Sequence, residues 1–196
     1  MGKTKILNSE AKAQNWLQEH KFINNIYGCL NAYQTLQLRH DKIFHQEIFV
    51  LDISRRMNHI VLHFTKYLGS LVSSPMLSSE YRKAFVDAFI MVVSASNLLG
   101  ISLAYYLSNV APQERIGEDF VCNYIQILSR LAKACEAADH QENYPIREVW
   151  DENIKNLFLL LLQESALLNV DILREAKERL RGVEKKHPLS EIMMEG

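Results

Sequence analysis

Apolar residues recur every three or four positions along most of this chain, which is the spacing of amphipathic helices. The clearest case is the segment over about 45–72, in which one stripe comprises Phe49, Ile53, Met57, Ile60, Phe64 and Leu68. An earlier segment, 23–40, carries a similar stripe that comprises Ile23, Ile26, Leu30, Tyr33 and Leu36. The hydrophobic pattern therefore predicts an all-α fold.

Capping residues and helix breakers set the bounds of the predicted helices. Pro75 ends the long segment, because proline disfavours helical geometry in the residue before it. Gly100 fits the left-handed position that follows many helices. The other predicted elements are a helix over about 11–22 after Ser9, one from Ser78 or Ser79 to Leu99, a short helix or extended link over 101–110, a boundary at Pro112 and Gly117, helices over about 118–139, 145–168 and 171–181, and a frayed tail.

Composition agrees with long helices and narrows the classes of function. Gly and Pro make up only 11 of 196 residues, under half of their usual share of about 12%, so few turns are available. The 22 basic and 23 acidic residues give a net charge of −1, which disfavours nonspecific nucleic-acid binding. Three cysteines without a CxxC motif indicate a reducing compartment, and we expect a cytoplasmic protein.

One uncharged stretch, residues 88–113, is long enough to cross a bilayer. It contains several serines, an asparagine and a glycine, which lower its hydropathy. We therefore expect a helix buried inside a bundle, and no membrane partner.

The chain also contains a candidate internal repeat. Residues 83–103 align without gaps with 152–172 at an offset of 69, and 63–68 can be set against 130–135 at an offset of 67. Coincidence between two leucine-rich amphipathic helices is the alternative explanation. On the repeat interpretation, two helical-hairpin units, about 22–110 and 116–183, pack together in one domain over 1–190, followed by a tail over 184–196.

These repeated segments resemble the MazG-like all-alpha nucleoside triphosphate pyrophosphohydrolases. In that family a helix carrying Glu-Glu-x-x-Glu precedes a helix that opens Glu-x-x-Asp and ends near Leu-Gly-Ile-Asp-Leu. The matching segments here are 64–71, 84–87 and 99–103, and in the second unit 133–137, 153–156 and 168–172, with 173–180 and 185–189 similar to the family's closing residues. The resemblance implies a pseudo-symmetric bundle in which two fused units pair within one chain as the family's units pair between chains, and it is compatible with a further homodimer.

The family's metal-binding acids are mostly replaced in this chain. The first unit has Lys66, Tyr67, Ser70 and Ala84 at those positions and keeps only Asp87; the second has Lys133, Ala134, Ala137, Asn153 and Asn156. One carboxylate does not hold a catalytic Mg²⁺, and a lysine at a ligand position repels it while attracting a phosphate. We therefore expect a catalytically degenerate protein without catalytic residues or cofactor, acting as a nucleotide-binding or protein-interaction module.

Several candidate sites follow, each with an ordinary structural alternative. Basic residues that would hold a nucleotide are Arg56, Lys66, Lys83 and Lys133, although solvated helix faces also carry such charges. Asp87 needs a cationic partner, for which Lys66, Lys83 and Arg56 are candidates. If the protein is instead a Mg²⁺-dependent pyrophosphohydrolase with a rearranged site, or binds another metal, the candidate ligands are Asp87, Glu136, Asp139, Asp151, Glu152, His59 and His63. A helical scaffold with no ligand is the third hypothesis.

Overall fold

The computed structural model describes residues 29–109 and 119–184. All regular structure within these ranges is helical, which confirms the predicted all-α class. The first predicted helix, the Pro112–Gly117 boundary and residues 185–196 lie outside the described ranges. The helices are α1 over residues 29–44, α2 (Gln46–Phe49), α3 (Ile53–Ser73), α4 (Ser79–Leu99), α5 (Leu103–Asn109), α6 (Phe120–Asp139), α7 (Ile146–Leu167) and α8 (Ile172–Glu184).

Four long helices enclose the core. Helices α3 and α4 form one hairpin and α6 and α7 a second, and the hairpins pack side by side, α3 on α6 and α4 on α7. Aromatic pairs join them: the Phe64 and Tyr124 rings lie 6.3 Å apart edge to face, and the Phe89 and Phe158 rings lie 6.1 Å apart. Helix α8 then packs against α4, so the end of the second hairpin reaches the first.

Helix α1 is fastened to the first hairpin by a buried glutamine. The Gln34 side-chain amide donates to the Ile101 carbonyl at 2.9 Å and to Asn97 Oδ1 at 3.2 Å, while its own oxygen accepts from the Leu103 amide at 2.9 Å. Every polar atom of this side chain is therefore satisfied. The contact fixes α1 across the corner between α4 and α5.

The predicted helix over 45–72 is in fact two helices. Residues 50–52 interrupt it, and α3 begins only after Asp52, whose carboxylate accepts a hydrogen bond from the Arg55 amide at 3.0 Å. Aspartate is a strong N-cap, and this local bond competes with continuation of the helix. The hydrophobic stripe continues across the interruption, so periodicity alone did not reveal the break.

Both hairpins begin and end with the same local hydrogen bonds. Asp119 caps α6 as Asp52 caps α3, by accepting from the amide three residues on at 3.1 Å. At the far ends, Gly100 and Asn169 both adopt left-handed backbone, with φ of +67° and +52°. The amide after each donates to the carbonyl five residues earlier at 2.8 Å, from Ile101 to Ser96 and from Val170 to Ser165. The chain then turns by 97° into α5 and by 106° into α8.

Several other predicted bounds are confirmed. Helix α4 starts after Ser78, which accepts from the Tyr81 amide at 3.2 Å, and ends at Leu99 as predicted. Helix α7 follows Pro145, and Asp171 precedes α8 and accepts from the Arg174 amide at 3.1 Å.

Within the described ranges no single helix has the length and apolar content to cross a membrane. Two bent helix pairs, α4 with α5 and α7 with α8, reach those limits only when their halves are counted together.

Candidate functional site

A cavity of about 450 Å³ lies between the end of α1, α2, the first hairpin and α8. A volume of this size is typical of small-molecule sites. Five residues singled out from the sequence line it: Arg56, His59, His63, Lys66 and Asp87. The structure thus gathers these five around one space, without Lys83 of the same unit, and next to apolar side chains that include Phe49, Ile60 and Met91.

Helix α3 supplies the basic wall of this cavity. Arg56, His59, His63 and Lys66 are spaced by three, four and three residues, so they follow one another along a single helix face. The Arg56 guanidinium lies over the Phe49 ring at 4.8 Å, and the Lys66 ammonium lies over the Tyr67 ring at 4.8 Å. Each cation therefore lies against an aromatic ring, and neither pairs with a carboxylate of the described residues.

The two histidines on this wall are uncharged at neutral pH. Burial lowers the pKa of His63 to about 4, and the neighbouring Lys66 and His59 add to the effect against an opposing contribution from Asp87. Burial also lowers the pKa of His59, again helped by nearby basic groups. The Tyr67 hydroxyl, whose own pKa is raised by burial and by Asp87, lies within hydrogen-bonding distance of His63 Nδ1, at 2.8 Å.

Asp87 is held by a residue that sequence reasoning missed. Arg179 of α8 donates from Nε to one carboxylate oxygen at 2.8 Å and from Nη2 to the other at 3.2 Å. This two-pronged ion pair replaces the predicted partners Lys66, Lys83 and Arg56. The pKa of Arg179 is raised by its hydrogen bonds to Asp87. Arg179 lies 92 positions away in a mixed-charge helix, so no local pattern in the sequence marked it.

The end of α1 contributes a second group of polar residues that the sequence interpretation missed. Gln37 donates to Asp41 Oδ1 at 2.8 Å and to the Ser94 hydroxyl at 3.2 Å, and Ser94 donates to Asp41 Oδ2 at 2.7 Å. His40 lies beside them, buried against the Phe44 and His45 rings. All four line the cavity. The spacing of three and four residues that separates Gln37 from His40 and Asp41 on α1 was the one available signal in the sequence.

The remaining predicted basic residues lie elsewhere. Lys83 borders a separate surface hollow between α4 and α8. Lys133, at the other hairpin, makes ion pairs with Glu142 at 2.9 Å and with Glu136 at 3.2 Å, and these two carboxylates raise its pKa. The four residues Arg56, Lys66, Lys83 and Lys133 therefore do not share one cleft.

The predicted acidic residues are dispersed as well. Asp151 is paired with Lys155 on its own helix, and Asp139 and Glu152 are exposed. In the part of the chain that the structure describes, only Glu136, His140 and Glu142 bring three metal-ligand atoms within 4.8 Å of one another. Two members of that group, Glu136 and Glu142, already make ion pairs with Lys133. Asp87 therefore does not join Glu136, Asp139, Asp151 and Glu152 in a common site.

The residues around Asp87 do not fit the Mg²⁺ site that the family resemblance implies. Mg²⁺ prefers an octahedron of oxygen ligands, including carboxylates. Here Asp87 is already bound by a guanidinium, Asp41 accepts hydrogen bonds from Gln37 and Ser94, and an ammonium from Lys66 faces the same space. Three acidic side chains line the cavity, the third being Glu47, but they are matched by the three cations Arg56, Lys66 and Arg179.

Comparisons with protein-family models, with curated proteins and with solved structures find no significant match for this chain.

Proposed function

We propose that the cavity binds a nucleotide or a closely related phosphate ester and does not hydrolyse it. The observation that carries this proposal is the pairing of charges. Among the described residues, neither Arg56 nor Lys66 makes an ion pair, whereas Asp87 is held by Arg179. Unpaired cations facing a partly enclosed space favour an anionic ligand, and guanidinium and ammonium groups both bind phosphate well.

The rest of the lining suits the uncharged part of such a ligand. Phe49, Ile60, Ile90 and Met91 add apolar surface to the lining of the cavity. An anion with a flat or apolar portion, as in a nucleotide, would contact both kinds of wall. Inorganic phosphate alone would use only the basic one.

Loss of catalysis is the second part of the proposal. We propose that the two hairpins are related units of MazG-like type in which the metal-binding acids have been replaced. Their shared capping bonds, at the sequence offsets of 67 and 69, support a common origin. The Arg179–Asp87 ion pair supports a structural role for the one retained acid.

Binding is tested by calorimetric titration with nucleoside mono- and triphosphates, with and without Mg²⁺. Arg56→Met and Lys66→Met are each expected to weaken binding about tenfold, the effect of one charge-assisted hydrogen bond. The matched controls are Arg55→Met and Lys83→Met, which remove the same groups outside the cavity. No binding to the wild-type protein, or equal losses in the controls, would reject the proposal.

Hydrolysis is tested by measuring pyrophosphate release from a panel of nucleoside triphosphates with Mg²⁺ or Mn²⁺. We expect no turnover above the rate without protein. Turnover that disappears in Asp87→Asn would show that the acid is catalytic after all.

A further inference from the structure

The outer side of helices α3 and α6 carries an exposed apolar face. Leu62 is 69% exposed and Ile125 is 45% exposed, and both lie well inside their helices. Helical periodicity puts each of them on one stripe with exposed residues three, four or seven positions further on. The α3–α6 face comprises these two stripes: Leu62, Thr65 and Gly69 of α3, and Ile125, Ser129 and Ala132 of α6.

The two stripes form one continuous surface because α3 and α6 pack against each other. On the core side of this contact, the Tyr124 hydroxyl donates to the Phe64 carbonyl at 3.4 Å. Val61 and Leu128 are half-buried and pack against the same core, and each lies next in sequence to a residue of the face. Apolar side chains therefore also fill the seam between the stripes.

The two hydroxyl groups on the face need no outside partner. Thr65 Oγ1 donates to the Val61 carbonyl at 2.9 Å, and Ser129 Oγ donates to the Ile125 carbonyl, also at 2.9 Å. Each hydroxyl is thus satisfied by the carbonyl four positions earlier on its own helix. Burying the face against another molecule would leave neither hydrogen without an acceptor.

The face carries no charged side chain, although 23% of the chain is charged. The charges at its margins are already paired: Arg55 lies 3.4 Å from Asp52, and Lys133 lies 3.2 Å from Glu136. Such a surface gives a strongly charged partner nothing to pair with. A second copy of the same face is equally uncharged, so the two copies would meet without like charges opposite each other.

The shape and size of the face also suit a second copy. Each stripe has one large residue, Leu62 or Ile125, followed by two smaller ones, so the large residue of one copy fits over the small ones of the other. A two-fold interface requires this self-complementarity. About three turns of two adjacent helices measure about 16 Å by 20 Å, or about 300 Å² per copy in projection. Stable dimers bury about 800 Å² per partner, so this area fits a weak one.

We propose that the α3–α6 face binds the same face of a second copy and forms a weak, reversible homodimer. Leu62 and Ile125 then lie at the centre of the interface, where apolar anchors contribute most to binding. None of the residues of the face lines the cavity. The inference is therefore independent of nucleotide binding.

Sedimentation equilibrium of the full chain between about 1 and 300 µM tests the proposal. We expect the average mass of the wild-type protein to rise from the 22.7 kDa of one chain towards twice that value, with a dissociation constant on the order of 10–100 µM. Leu62→Lys and Ile125→Lys should each weaken dimerisation at least tenfold, because an unpaired ammonium would be buried in the interface. Leu36→Lys, at an exposed leucine of α1, is the matched control and should stay within about twofold of the wild type.

Hydrogen exchange of the wild-type protein gives a readout that does not depend on any variant. Peptides of α3 and α6 should exchange more slowly at 300 µM than at 1 µM, whereas those of α4 and α7 should not change. A mass of one chain at every concentration would overturn the proposal, including the case in which a segment of the chain outside the described ranges covers the face. Equal weakening in Leu36→Lys, or slower exchange in helices other than α3 and α6, would also overturn it.

Discussion

At the scale of single residues, the cavity combines an ion pair with an uncharged histidine. The Asp87 side chain is 15% exposed and accepts two hydrogen bonds from the Arg179 guanidinium. His63, on α3, lines the same cavity and stays uncharged because burial and Lys66 disfavour a second cation there. One cavity therefore holds both an ion pair and a neutral base.

Removing Arg179 tests the role of its ion pair with Asp87. Arg179→Met leaves the Asp87 charge partly buried without its partner, and we expect a loss of about 1–2 kcal/mol in the free energy of unfolding measured with urea. Arg55→Met removes a guanidinium from an exposed ion pair with Asp52 and should cost under about 0.5 kcal/mol. Asp87→Asn combined with Arg179→Met should recover part of the loss. Equal costs in the two single variants would argue against the role assigned to Arg179.

The pH dependence of stability tests whether His63 stays uncharged in the folded protein. Between pH 6.5 and about 4 the unfolded chain protonates His63 while the folded protein does not, so stability should fall as the pH is lowered through this range. In His63→Gln we expect this fall to be smaller by about 1 kcal/mol, a figure that allows for screening by solvent. Thr65→Ser, at an exposed site on the same helix, changes no titratable group and should behave as the wild type. An unchanged slope in His63→Gln would contradict the lowered pKa.

At the scale of helices, backbone geometry decides where elements begin and end. Gly69 and Gly100 illustrate it, because a methyl group added at either residue meets no atom within 4 Å. Gly69 lies inside α3, whereas Gly100 adopts the left-handed backbone that ends α4. Any difference between their alanine variants therefore reports backbone conformation alone.

We expect Gly69→Ala to raise the free energy of unfolding by about 0.5–1 kcal/mol, since alanine restricts the unfolded chain and favours the helix. Gly100→Ala should lower it by about 1 kcal/mol, because a left-handed backbone strains a residue with a Cβ. Urea denaturation of both variants measures the difference. The same sign for both changes would be inconsistent with the left-handed cap.

Helices were predictable where local chemistry and periodicity agree. The Ser78 hydroxyl suits a helix start, and Gly100, which has no Cβ, suits the left-handed position at a helix end, so the bounds of α4 follow from the sequence. The interruption before Asp52 does not disturb the hydrophobic stripe and was missed. Arg179 was missed for another reason: its partner is set by how α8 docks on α4, and no local pattern encodes that contact.

The candidate site, like the helices, was predictable from the sequence in part. His59 and His63 were selected on their helical spacing, and Lys66 and Asp87 on the family resemblance; the structure gathers all four around one cavity. Lys133 was selected by analogy between the two units, and the structure pairs it with two local glutamates instead. The repeat and family resemblance stay predictions, as do the homodimer and the cytoplasmic location.

At the scale of the whole molecule, the two hairpins share one core. Phe158 of α7 is fully buried against Phe89 of α4, and Tyr124 of α6 packs edge to face on Phe64 of α3. Each hairpin thus covers apolar surface of the other. Neither is expected to stay folded when the other opens.

A core truncation tests this coupling. Phe158→Ala should cost about 3–5 kcal/mol, and hydrogen exchange measured by mass spectrometry should speed up in peptides of α3 and α4 as well as α6 and α7. Leu62→Ala, at a site that is 69% exposed, is the control and should leave exchange close to that of the wild type. Faster exchange confined to the second hairpin would show that the two fold independently.

The cavity is complete only when α8, the last described helix, has packed against α4. Arg179 and Leu180 close a space whose other walls all come from residues before 95. During synthesis, a chain in which both hairpins have left the ribosome but α8 has not would lack one wall of the cavity. Asp87 would then lack its partner Arg179. Proteolytic cleavage in the 168–171 turn would leave this wall attached only by its packing, because Ile172, Leu173, Ala176 and Leu180 of α8 belong to the buried core.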